Sequence, residues 1–460
     1  MRLKFLDREN ERSRLARAFG RRQGSFCCLY GRRRCGKSRL LLEVLPKRLS
    51  VYYAGDEREP SLQRAALATA VADVMPGFDQ VVYPDWASLL TRWWREAPEC
   101  AVLALDEFPY LVSGSREFPS VLQKLIDQHS ARRVHLVVAG SSQRMMHGLV
   151  LHASAPLYGR AQEIINTGPL GAAWVGKAFE GSRGAGLLET YSLWGGIPHY
   201  WELALDYEST WEAVRKLVLD PQGVLHAEPH RLLLDDLRET TQAASILSLI
   251  GWGCNRISEI ASRIDKPATS LTRPLSLLLE LGLVHREVPF GVSRRNNKKS
   301  LYRIADPFLA FWFRFVEPNR SRLEAGSTDS VAREIEKSAG AHYGEIWETL
   351  VRRSIPRSSI AGIEWQPAHK WWGDGTDKSR LEIDVVAESL DGKSLLLGEA
   401  KLAVDTRGLA HARQDLRRKA ARLPFVKDYR HVVERVFAAE VGTHRAADLI
   451  TTKEVFGALK

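Results

Sequence analysis

Short runs of consecutive apolar residues alternate with segments whose apolar positions recur every three or four residues through the first third of the chain. Phe26–Tyr30, Val51–Gly55, Cys100–Leu105 and Val134–Gly140 have strand length, whereas SLQRAALATAVADVM and DWASLLTRWWREA have helical spacing. Strands alternating with helices predict a doubly wound, mainly parallel α/β sheet. Ahead of the first strand, FLDRENERSRLARAF places Leu15, Ala18 and Phe19 on one helix face. Residues 171–238 read as mostly helical. The pattern then changes to three helix-length segments, QAASILSLIGWG, RISEIASRI and TSLTRPLSLLLELGLV, followed by two short β-prone runs, VHREV and LYRIA, around the loop PFGVSRRNNKKS. Later, LEIDVVAESLDGKSLLLGEAKL flanks Asp391-Gly392 with two β-prone runs, the signal of a two-residue hairpin turn.

The first predicted strand runs directly into GRRRCGKS, Gly31 to Ser38, and then into the helix-like RLLLEVL. Strand, glycine-bounded loop, Lys-Ser and helix form the context of a phosphate-binding loop. The four residues Arg32, Arg33, Arg34 and Cys35 between Gly31 and Gly36 let successive backbone N–H groups and the positive end of the following helix face a phosphate. Lys37 would reach the β and γ phosphates, and the Ser38 hydroxyl is placed to ligate Mg²⁺. The three arginines either help hold triphosphate or face water.

Asp106 and Glu107 emerge where the strand Cys100–Leu105 ends, at the edge where open α/β sheets place ligands. Asp106 suits the Mg²⁺ shell and Glu107 the polarisation of an attacking water. After the strand Val134–Gly140, Ser141 or Ser142 could position that water or the γ-phosphate, or serve as a turn residue. Arg160 is a candidate for stabilising transition-state charge in its own or a neighbouring subunit, with a surface arginine as the other reading.

Composition narrows the partners. Of 460 residues, 66 are Lys or Arg and 55 Asp or Glu, a formal charge of +11 that favours an acidic partner, most simply nucleic acid. The length suggests about three domains. The start, MRLKFLDREN, carries no apolar leader core, and no run of 18 apolar residues appears, so a cytoplasmic protein with no membrane partner is expected. The five cysteines have no CxxC pairing or metal-ligand spacing and read as reduced thiols.

The set YGRRRCGKS, LALDEFPYL, AGSS, PLYGR and YSLWGGIPHYWE resembles the archaeal-type ATPases of the AAA+/STAND superfamily. Cys35 and Ser38 depart mildly from the GRRRVGKT usual in that family. The resemblance implies ATP as ligand with Mg²⁺, and a helical lid whose nucleotide-facing turn is formed by Gly196, Ile197 and Pro198. DPFLAFWFRF, Asp306 to Phe315, resembles the apolar seam that leads into the family's carboxyl-terminal domain.

Three helices followed by strand, loop and strand is the order of a winged helix-turn-helix, whose third helix enters the DNA major groove. Candidate DNA contacts are Ser270, Thr272 and Arg273 on that helix and Arg294, Arg295, Lys298 and Lys299 on the wing; a module used for protein contacts is the other reading. Pro274 requires the third helix to begin near Thr272, as its cap, or to bend there.

In the late hairpin, pairing Leu390 with Lys393 puts Asp384 opposite Glu399 and Glu382 opposite Lys401, all on one face. Opposed carboxylates call for a cation, and Mg²⁺ suits such oxygen donors, with Lys401 beside it to orient water or stabilise charge. This D…ExK arrangement resembles the PD-(D/E)xK nuclease fold, a resemblance that implies a helical acid in HYGEIWETLVRR: Glu348, with Glu345 as the alternative.

The expected architecture is therefore an α/β P-loop NTPase domain (1–170) with a helical lid (171–238), a winged helix-turn-helix (239–316), and a carboxyl-terminal α/β restriction-endonuclease-like domain (317–460). The expected function is Mg²⁺-dependent ATP binding and hydrolysis coupled to DNA, with copies of the chain assembling. Its last domain either cleaves DNA, or is catalytically inactive in a nucleotide-controlled regulatory or assembly switch.

Overall fold

The computed structural model describes residues 3–460 apart from 130, 182–183, 238–239, 294–298 and 443–445. The wing candidates Arg294, Arg295 and Lys298 lie outside the described residues. The chain divides into two compact units, one of residues 6–169 with 234–238, the other of residues 1–5, 170–233 and 239–460.

The first unit is built on five parallel strands in the order β2-β3-β4-β1-β5: β1 Ser25–Tyr30, β2 Ser50–Ala54, β3 Val102–Asp106, β4 His135–Gly140 and β5 Glu163–Asn166. Their apolar continuity follows from burial on both faces, the usual state of a parallel sheet covered by helices. All six residues of β4 and all five of β3 are buried. Helices Pro60–Ala72 and Trp86–Glu96 bury the apolar stripes seen in the sequence, and Asp85 caps the latter by accepting from the Ser88 N–H at 2.7 Å. Trp86 stacks on Phe118 with ring centroids 4.5 Å apart. Strand β5 has no counterpart among the expected strands; its EIIN run is too short for periodicity to reveal, and its partner is β1, more than a hundred residues earlier.

The second unit includes, after a short helix Val175–Ala178, helices Ala185–Trp194 and Pro198–Ala204. Helices Thr241–Gly251, Ile257–Ile264 and Thr272–Glu280 follow, then the antiparallel pair β6 Val284–Glu287 and β7 Leu301–Ile304. Thr272 is the first helical residue rather than the cap, because a 3-10 turn over Ala268–Leu271 leads into the helix. Pro274 thus falls in the first turn, where no intrahelical donor is lost.

The unit closes on a mixed sheet, β12-β11-β10-β9-β8, formed by β8 His369–Asp374, β9 Arg380–Glu388, β10 Ser394–Val404, β11 His431–Val441 and β12 Leu449–Thr451. Strands β8, β9 and β10 meander antiparallel; helix Thr406–Ala420 then carries the chain to β11, parallel to β10. The β9/β10 register, Leu395 with Glu388 through Gly398 with Val385, is the expected one. The turn is wider than the expected two residues: Gly392 donates to Ser389 O (3.0 Å) while Ser389 N–H reaches Ser394 O (2.9 Å). Asp391 holds this shape by accepting from the Ser389 hydroxyl (2.6 Å) and the Lys393 N–H (3.1 Å), and Gly392 takes φ 71°, which suits a residue without Cβ. Among the described residues, no helix is long and apolar enough to cross a membrane.

Candidate nucleotide site and the carboxyl-terminal acidic cluster

The phosphate-loop residues gather at the carboxyl end of β1. Gly31 has φ 147°, and a Cβ there would collide with the Thr167 carbonyl. Arg34 and Gly36, at φ 68° and 88°, both take the left-handed conformation that turns successive backbone N–H groups into one concavity. Lys37 opens the helix Lys37–Val44 and is buried, with Nζ donating to Gly31 O at 2.8 Å and Arg32 O at 3.1 Å. Burial lowers its pKa, an effect that Cys35, Glu107, Asp106 and Asp236 oppose. A desolvated cation over a ring of carbonyl oxygens and a glycine-bounded nest suits a triphosphate. Arg32 is buried, whereas Arg33 is exposed and pairs with Asp235 at 3.3 Å.

Strand order explains which side chains meet here. Strand β4 lies between β1 and β3, so Ser141, just past β4, stands beside Glu107, just past β3. The Ser141 hydroxyl lies 2.6 Å from both Glu107 carboxylate oxygens. Glu107 takes φ 47°, a strained conformation for a side-chain-bearing residue, costing about 1–3 kcal/mol. Its N–H donates to Asp106 Oδ1 at 2.8 Å. Ser142 instead caps the short helix that follows, accepts from Met145 N–H and reaches Asp236 at 3.3 Å.

Arg160 lies away from the phosphate loop of its own chain. It precedes Glu163, which pairs with Cys27 near the start of β1, so it stands at the amino end of the sheet, opposite the edge where Gly31 to Ser38 lie. There its guanidinium forms two bonds to Asp127, at 2.9 and 2.7 Å, and contacts the Pro156 and Tyr158 carbonyls. A role in its own subunit's nucleotide site is excluded by strand polarity. Arg160→Ala is expected to leave ATP turnover by isolated chains within about twofold, since an exposed ion pair contributes little; steady-state phosphate release at high dilution measures this.

In the second unit, Gly196 is buried and its carbonyl accepts from Leu170 N–H at 2.7 Å, while Pro198 is the first residue of its helix. The left-handed glycine of this turn is Gly195, at φ 58°, where a Cβ would press on Pro307. Ser270, Thr272 and Arg273 are all exposed, as is Lys299. The Ser270 hydroxyl donates to Pro267 O, closing the turn before the third helix.

Beside β9 and β10, the expected carboxylates are near one another but each meets a cation of the chain. Glu348, on helix Gly340–Ser354, receives Lys370 Nζ at 3.0 Å and Arg352 at 3.4 Å. Lys370 also pairs with Glu382 and lies 3.9 Å from Asp384 Oδ1. The other oxygen of Asp384 accepts the Ala400 N–H at 2.9 Å. Both oxygens of Glu399 are taken, by Lys401 at 2.9 Å and Lys419 at 3.0 Å. Burial, then the facing Glu348 and Glu399 carboxylates, push Asp384 up to about 6. Glu345, the alternative acid, points elsewhere and pairs with Arg303 and Arg314. Lys401 was expected opposite Glu382, but its ammonium turns to Glu399 and leaves Glu382 to Lys370, because two positions along one strand project on the same side. Among the described residues no group of three or more His, Cys, Asp or Glu has the geometry to hold a metal. With lysine ammoniums seated among them, these carboxylates as they stand do not fit a resident divalent cation.

Residues 5–202 match the ATPase domain found predominantly in Archaea, and residues 312–412 match a family of archaeal and bacterial proteins of unknown function. Residues 5–202 are an archaeal-type P-loop ATPase domain. An uncharacterized protein of Methanocaldococcus jannaschii is 27% identical over 431 residues, covering 92% of this chain and 93% of its own. The Walker-type ATPase of Pyrococcus abyssi shares the fold with a TM-score of 0.51 at 21% identity, over 67% of this chain and 96% of that one. The Aeropyrum pernix ORC2 protein, solved with ADPNP and ADP, gives 0.48 at 14% identity over 73% and 97%.

Two residues of the archaeal-type ATPase site escape the motif. Arg8 is buried and clamps the phosphate loop, donating to Cys35 O at 3.1 Å and to Gly168 O. Tyr52, on β2, donates to Asp106 Oδ2 at 2.7 Å and also hydrogen-bonds the Ser38 side chain. Burial and the Asp106 carboxylate raise its pKa, so it remains a neutral donor. Its hydroxyl therefore ties together the two candidate Mg²⁺ ligands. Tyr52→Phe is expected to weaken Mg²⁺ enhancement of ADP binding by about three- to tenfold, roughly one hydrogen bond, while metal-free ADP binding stays unchanged; calorimetry with and without Mg²⁺ separates the two.

Proposed function

We propose that the chain is a Mg²⁺-dependent ATPase whose nucleotide state governs a DNA-holding unit. The observation that carries the first half is the Ser141–Glu107–Asp106–Tyr52 chain of hydrogen bonds beside a buried Lys37 at one sheet edge. In this reading Lys37 exchanges its loop carbonyls for the β and γ phosphate oxygens, and the Arg34–Gly36 nest holds the phosphate from behind. Ser38 and Asp106 would hold Mg²⁺, which supplies neutralisation of charge on the transferring phosphoryl group. Glu107 accepts a proton from the attacking water, and Ser141 fixes the orientation of its carboxylate. Gly196 and Pro198 form the lid turn that responds to nucleotide. The residues 1–170, 171–238, 239–316 and 317–460 act as ATPase core, lid, winged helix and nuclease-like domain, and copies of the chain assemble.

DNA binding is supported by the order of three helices and an antiparallel pair, by exposed Ser270, Thr272 and Arg273 on the third helix, and by the net charge of +11. The topology of the last sheet, with its preceding helix and the β9/β10 acids, suits a nuclease-like domain. The engagement of those acids by lysines favours the reading in which this domain holds nucleic acid without cutting it. DNA incubated with the protein and Mg²⁺ or Mn²⁺, with and without ATP, beside Lys37→Ala and Asp384→Ala controls, tests both halves. Cleavage lost only in the Asp384 variant would contradict the non-cleaving reading.

A further inference from the structure

The opposed carboxylates of β9 and β10 require a positive charge between them, and the question is what provides it. Lys370 projects from the edge strand β8, whose pairing with β9 is displaced by an irregularity between His369 and Trp371. Its side chain is only 10% exposed, yet its ammonium touches Glu348 and Glu382 and approaches Asp384. On the other side, Lys419 comes from helix Thr406–Ala420 onto Glu399, meeting Lys401 there. The backbone fixes Lys370 further: its carbonyl accepts the Phe290 N–H at 3.0 Å.

We infer that Lys370 is a built-in counter-ion that takes the position a divalent metal would occupy among Glu348, Glu382 and Asp384, so that this cluster is closed to metal in the native chain. A lysine ammonium satisfies several carboxylates at once through three N–H donors but offers no Lewis-acid site and no metal-bound water. The cluster thus supplies structure to the sheet and leaves no open coordination position for hydrolysis. This deepens the non-cleaving reading of the last domain, on which it rests.

The test is Mn²⁺ titration of the full chain without nucleotide, followed by the electron-spin signal of free Mn²⁺, in variants that share an unchanged phosphate loop. Wild type and Asp384→Asn are expected to bind equal numbers of Mn²⁺. Lys370→Met, which keeps the apolar stem and removes the charge, is expected to bind one more, and Lys370→Met with Asp384→Asn to lose it again. A Mn²⁺ that wild type binds and Asp384→Asn does not would overturn the inference, as would the absence of an added site in folded Lys370→Met. Should Lys370→Met fail to fold, the wild-type and Asp384→Asn comparison still decides. ATP turnover, expected to be unchanged by Lys370→Met, and DNA cleavage by wild type are read separately, so failure of the non-cleaving reading is distinguishable from failure of this one.

Discussion

Replacing Lys37 with alanine is expected to abolish ATP turnover, lowering kcat by at least about 10²- to 10³-fold, the scale for losing one preorganised group that stabilises transition-state charge. The physical reason is positional. Lys37 is buried at the first turn of its helix, and its Nζ already sits on the Gly31 and Arg32 carbonyls. An incoming triphosphate replaces those weak acceptors with phosphate oxygens, a stronger partner for a partly desolvated ammonium. Alanine removes the charge and leaves the loop carbonyls without their donor, so nucleotide affinity should fall together with kcat. Phosphate release and equilibrium binding of a fluorescent ATP analogue measure the two; turnover at the wild-type rate would refute the assignment of the site.

Glu107→Gln should separate the two quantities. Glutamine keeps the size and the contact with Ser141 but cannot accept the proton of an attacking water, so kcat is expected to drop by about 10²- to 10⁴-fold with ATP affinity within a few-fold of wild type. Glu107 is held in place by its strained backbone and by the 2.6 Å contacts with Ser141. Ser141→Ala should therefore cost less, about tenfold in kcat, because the carboxylate survives with a looser orientation. If Glu107→Gln instead lost ATP binding while any residual turnover kept its rate, Glu107 would be a binding residue and not a base.

The nucleotide loop was legible in the sequence because its chemistry is local: Gly31, Gly36, Lys37 and Ser38 are fixed by spacing alone. The Asp106-Glu107 pair was legible for the same reason, since a fully apolar run announces a buried parallel strand and its end announces the ligand edge. What depended on strand order was not. Tyr52 reaches Asp106 only because β2 and β3 are neighbours, and nothing in VYYAG marks one tyrosine as special. Whether Arg160 belongs to its own nucleotide site or to the surface could not be read from its motif, because its place at the amino end of the sheet follows from the pairing of β5 with β1.

The late hairpin divides in the same way. Alternation of apolar and polar residues carried the register, so Asp384 and Glu399 came out on adjacent strands even though the turn is wider than Asp391-Gly392 alone implies. Lys370 lay hidden because its direction is decided by an irregular edge-strand pairing and not by any motif. A cation was foreseeable from the opposed carboxylates; that the chain supplies it was not.

On the proposed function, the nucleotide held at Lys37 sets the grip of the second unit on DNA. Its most direct measurement is the affinity of Glu107→Gln for duplex DNA, read by fluorescence anisotropy in saturating Mg²⁺-ATP and again in saturating Mg²⁺-ADP. The account predicts dissociation constants that differ by about tenfold or more, within the usual range of coupling between two sites. Equal affinities in the two nucleotide states, or no DNA binding in either, would contradict it.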